Sequence, residues 1–60
     1  MKWYRVYKIL LDNEGNVVNR TPICRVKTLN MAYSMARTNA GIGDVGIYEI
    51  NSDGSETRVI

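Results

Sequence analysis

Sixty residues with a formal net charge of +2, one cysteine and no histidine carry few chemical tools. Without histidine there is no Ser-His-Asp triad, no Cys-His pair and no Cys/His zinc site, and a lone cysteine excludes an intrachain disulfide. The apolar fraction of 45% belongs to a folded chain, not a disordered one, and no apolar run approaches the ~18 residues of a membrane span.

A single domain over residues 1–60 is expected. A domain this short buries only roughly 60% of the surface its unfolded chain exposes. With disulfide and metal excluded, efficient packing or self-association has to supply stability. The unpaired thiol and the lack of a signal-like apolar stretch after Met1 point to the cytoplasm.

In chain order, Trp3 to Leu11 is aromatic and aliphatic without Gly or Pro and predicts a strand. Asp12-Asn13-Glu14-Gly15-Asn16 is turn chemistry. A second strand, antiparallel to the first, runs from Val17 to about Lys27. Pro22 within it has no N–H to donate, so it marks a bulge or an edge. Leu29, Ala32, Tyr33, Ala36 and Ala40 then repeat as one face of a helix, with Thr28 as N-cap and Gly41 as a left-handed stop. Val45 to Ile50 is a third strand. Asn51 to Ser55, with its Asp-Gly pair, is a tight turn, and Thr57 to Ile60 is a short fourth strand. The expected fold is α+β, ββαββ: a four-stranded, mainly antiparallel sheet with one helix on one face.

Catalytic chemistry finds no footing in these segments. Cys24 sits between Ile23 and Arg25 in a strand and reads as a small apolar residue. The pairs Asp12/Glu14 and Asp53/Glu56 lie in solvated turns that neither fix their geometry nor separate their pKa values. Gly41-Ile42-Gly43 follows the helix, whereas a phosphate-cradling loop precedes one. A non-enzymatic protein without metal or cofactor is expected.

The faces of the strands point to binding. Trp3, Arg5, Tyr7, Ile9 and Leu11 share one side of the first strand; Tyr4, Val6, Lys8 and Leu10 share the other. Both sides are largely apolar, and one helix covers only one of them. Met31 lies about 160° from the centre of the helix stripe and Met35 about 120°. The expected role is protein–protein contact, of the inhibitor or modulator type that phage and mobile elements encode, with a second copy or another protein as partner. Its contact residues would be Trp3, Tyr7, Met31, Met35 and Tyr48. The alternative is a nucleic-acid-binding module, with Trp3 and Tyr7 stacking on bases while Arg5, Arg25 and Lys27 meet phosphates. Charge is concentrated accordingly: residues 1–37 are strongly basic and residues 38–60 acidic.

Overall fold

The computed structural model describes residues 2–39, 41 and 43–60. Strands β1 (Trp3–Leu11) and β2 (Val17–Val26) form the first hairpin, α1 (Leu29–Asn39) follows, and β3 (Asp44–Ile50) with β4 (Glu56–Arg58) forms the second. All pairings are antiparallel and the strand order is β2-β1-β3-β4. The order ββαββ is thus the one the sequence predicts. The two longest inner pairings place the most apolar strand, β1, between β2 and β3. Those two run parallel on either side of it, and α1 is the crossover that connects them. The smallest Cα extent is 15 Å, which leaves room for one sheet and one helix and no third layer.

Turn and cap chemistry explains where the elements stop. The Asp12 carboxylate accepts from the N–H groups of Asn16 and Glu14, each at 2.9 Å, and closes the first hairpin. Asp53 does the same in the second, accepting from the Ser55 hydroxyl at 2.6 Å and from its N–H at 3.0 Å. The Thr28 hydroxyl accepts from the Met31 N–H at 3.1 Å, an N-cap that satisfies one of the free donors of the first turn. Pro22 meets both of its expectations. β2 is an edge strand, and its pairing with β1 slips between Pro22 and Cys24, so that Ile23 is bulged out of register.

The helix stop differs from expectation. α1 ends at Asn39, whose side-chain amide donates to the Met35 carbonyl at 2.8 Å. The left-handed residue in the connection is Gly43, at φ 135°, and Gly41 is not left-handed. Ala40 and Ile42, to which the sequence reading also extended, lie outside the described residues.

The core under the helix is Val6, Val26, Ala32 and Ile47, ringed by residues that include Tyr4, Cys24, Leu29, Met35, Ala36 and Val45. Ala32 is fully buried, and its small side chain lets the helix sit close to the sheet. The predicted stripe is corrected at one position. Tyr33 is 40% exposed and Met35 takes its place against the core. Methionine is unbranched and adapts to irregular gaps at a core margin, which a rigid phenol does not.

Ile47 is 1% exposed, at the centre of this core. Ile47→Ala is expected to cost about 2–5 kcal/mol, a large part of the 5–15 kcal/mol typical of whole domains. A urea midpoint shifted by less than the equivalent of 1 kcal/mol would contradict the assignment of this core.

Their hydrogen bonds hold both turn carboxyls below the usual range: for Asp12 chiefly the backbone of Asn16, for Asp53 chiefly the Ser55 hydroxyl. A depressed folded-state pKa contributes stability that is present above the unfolded value and disappears as pH falls through the folded one. Melting temperature is therefore expected to fall with pH below about 4. The Asp12→Asn/Asp53→Asn variant should show a shallower acid decline, measured by circular dichroism.

Candidate functional site

The face of the sheet opposite α1 carries the second half of the apolar strand residues. Tyr7, Ile9 and Tyr48 form a separate buried cluster, with Leu11 and Val17 packed against it. The rings of Tyr7 and Tyr48 meet edge to face, with centroids 5.1 Å apart and planes at 83°, a favoured arrangement for aromatic pairs. Gly46 makes the space. A side-chain carbon there would come within 3.3 Å of both Ile9 and the Tyr48 ring. Gly46 pairs with Tyr7 across the ladder, so the absence of a side chain lets the two rings close over the backbone.

No helix covers this cluster; an arginine does. Arg20, on edge strand β2, lays its guanidinium 4.4 Å from the Tyr7 ring centroid and 4.7 Å from that of Tyr48. It also donates to Glu56 Oε1 at 3.1 Å. Glu56, the first residue of β4, accepts from the Tyr7 hydroxyl at 2.7 Å on the same oxygen and from Arg5 on Oε2 at 3.1 Å. The Glu56 side chain is 13% exposed, and these three donors account for its charge. Exposed cation–π contacts contribute roughly 0.5–1 kcal/mol each, more when desolvated. The larger effect is coverage: the planar cation shields two rings while its own edge stays in water.

One end of the same face is organised differently. The indole of Trp3 has the Arg25 guanidinium 4.5 Å and the Lys27 ammonium 5.4 Å from its ring centroid. The ion pairs among the described residues are Lys2 with Glu49 and Arg5 and Arg20 with Glu56. Arg25 and Lys27 enter none of them. Two like charges are gathered on one half-buried indole without a carboxylate to balance them. A hollow of about 600 Å³ opens beside it, lined by Lys2, Trp3, Glu49, Ile50, Asn51 and Ser52, and the carboxylate there, Glu49, is paired with Lys2 at 2.9 Å.

The residues singled out in the sequence are therefore divided by the fold. Trp3, Arg5, Arg25 and Lys27 come together on the helix-free face, as alternation and the β1–β2 register require. Tyr7 and Tyr48 share that face but are only 5% and 8% exposed, so neither is an open ring for a partner or a base. Met31 is exposed on the far side of the molecule, on the outer surface of α1, and Met35 faces the core. Arg20 was not singled out, and Glu56 was expected in a solvated turn; instead Glu56 is the first residue of β4, its side chain 13% exposed and held by three donors, and the two organise the centre of the face. Arg20 opposes Ile9 only because Val18 is bulged out of the β2 ladder, and nothing in the local sequence announces that register.

Cys24 packs against the helix-side core, where burial pushes its thiol up and keeps it protonated at neutral pH. No helix among the described residues is long and apolar enough to cross a membrane. No protein-family model matches the chain, and no curated protein or solved structure shows significant similarity to it.

Glu56→Gln removes the charge that two arginines share and keeps the shape. It is expected to lower stability by about 1–3 kcal/mol, with a smaller loss in an Arg20→Gln background, where only the Arg5 and Tyr7 contacts remain to be weakened. Additive losses in that double-mutant cycle would show that the Arg20–Glu56 contact contributes nothing.

Proposed function

We propose that this chain is a small, non-enzymatic binding protein of the cytoplasm that acts by occupying an acidic surface of another protein, in the manner of an inhibitor or modulator. The observation that carries this reading is the end of the helix-free face, where Arg25 and Lys27 flank Trp3 with no carboxylate partner. A partly accessible indole ringed by cations combines an apolar anchor with unsatisfied charge, the makings of an interface centre. An acidic partner relieves the repulsion between the two cations and sets orientation as it does so.

A second copy of the chain is a poorer fit to this surface. In a twofold contact each patch meets itself, and Arg25 and Lys27 would face their own likenesses. Single-stranded nucleic acid shares the required charge. It would find no row of rings here, because Arg20 covers Tyr7 and Tyr48 and Trp3 itself carries Arg25 and Lys27, whereas strand binders present successive stacking platforms.

The test is affinity capture from the native host with wild type, Trp3→Ala, Arg25→Glu/Lys27→Glu and Met31→Ser. A captured acidic protein is expected to bind the first two variants at least about 30-fold more weakly, the equivalent of a 2 kcal/mol hot spot, and to bind Met31→Ser unchanged. Equal capture by the charge-reversed variant would refute the assignment. Oligonucleotide binding that weakens with salt and vanishes in that variant would reassign the surface to nucleic acid. Light scattering that finds a dimer insensitive to the charge reversal would place self-association elsewhere on the chain.

A further inference from the structure

The Tyr7–Tyr48–Glu56 cluster has the composition of a receptor for an organic cation. Two aromatic rings stand nearly perpendicular, and a carboxylate that is only 13% exposed closes one side. Arrangements of this kind bind guanidinium and alkylammonium groups by combining ring quadrupoles with a countercharge. The group that fills it comes from the same chain. Arg20 enters from the edge strand, next to the irregularity in the β1–β2 ladder between Leu10 and Leu11, and its side chain stays 40% exposed.

A hollow of about 430 Å³, lined by Val17, Val18, Asn19, Arg20 and Tyr48, opens beside it on the same face. A single hydrogen bond to Glu56, at 3.1 Å, and the ring contacts hold Arg20 in place. Arg5 and Tyr7 bond Glu56 as well, through contacts that do not pass through Arg20.

We propose that Tyr7, Tyr48 and Glu56 form a guanidinium-binding cage which Arg20 occupies in cis, and that an arginine side chain of a partner protein takes the cage by displacing it. A guanidinium fits better than an ammonium because its flat faces and edge donors serve two rings and a carboxylate together. The cage lies beyond the Trp3 surface, uses different residues, and stands or falls separately from it. Arg20 acts as an internal competitor. With the open form populated at 10% or less, the apparent affinity for an incoming arginine is reduced about tenfold or more.

The test is an NMR titration of the full chain, following the Tyr7 and Tyr48 ring protons, with N-acetyl-arginine amide as probe. N-acetyl-lysine amide and sodium chloride at equal ionic strength serve as controls. Arg20→Ala is expected to show a saturable shift specific to the arginine probe, about tenfold or more tighter than wild type, and Arg20→Ala/Tyr48→Ala is expected to show none. A folded Arg20→Ala that gives no saturable shift, or shifts equally with sodium chloride, overturns the proposal. Should Arg20→Ala not fold alone, recovery of its dispersed sheet signals with the arginine probe but not with salt supports the cage, and failure to recover them overturns it.

Discussion

The structure depends on how a sheet with two apolar faces and one helix keeps water off the second face. Arg20 is the solution. Its guanidinium lies over Tyr7 on β1 and Tyr48 on β3 and reaches Glu56 on β4. One side chain from one edge strand therefore meets a residue of the opposite edge strand, across three strand spacings of about 4.8 Å each. A flat, weakly hydrated cation suits this task, since it lies on aromatic faces at little desolvation cost and still offers donors along its rim. A lysine at the same place would keep the charge and lose most of the cover.

This seal divides the helix-free face into a satisfied centre and an unsatisfied end. At the centre, each charged group has an opposite partner: two arginines and a phenol share one carboxylate, and Gly46 gives the rings room to sit low over the sheet. At the end, Arg25 and Lys27 share only an indole. Net charge alone does not reveal this contrast. The molecule is nearly neutral, and Asp12 and Asp53 are engaged in turns while Glu49 and Glu56 pair with Lys2, Arg5 and Arg20. Arg25 and Lys27 are the two cations outside those ion pairs that share one aromatic ring.

Local features were legible because local physics decides them. Thr28 caps the helix, and Asp12 and Asp53 close their turns through hydrogen bonds spanning four residues or fewer. Alternation along Trp3 to Leu11 divided the strand between two faces correctly because a regular strand admits no other arrangement. The helix stripe was less secure. Tyr33 and Met35 lie on opposite flanks of a line through Leu29, Ala32 and Ala36, and a 3.6-residue period favours Tyr33. In the folded chain Met35 packs against the Val6 and Ile47 core instead. The stop at Gly41 failed for a similar reason: the conformation that β3 requires places the positive φ at Gly43.

By itself the sequence determined the element order ββαββ, both hairpin turns, the helix cap, the two-faced first strand and the absence of histidine chemistry. Each of these follows from covalent composition or from contacts between near neighbours. Only the tertiary structure decided that Arg20 would close over Tyr7 and Tyr48, that Glu56 would gather Arg5, Arg20 and Tyr7, and that Trp3 would be left with two unpaired cations. Those contacts join residues 36 to 51 positions apart in the case of Glu56. They depend on strand order and on two register shifts in β2, and a one-residue change in register turns a side chain to the opposite face.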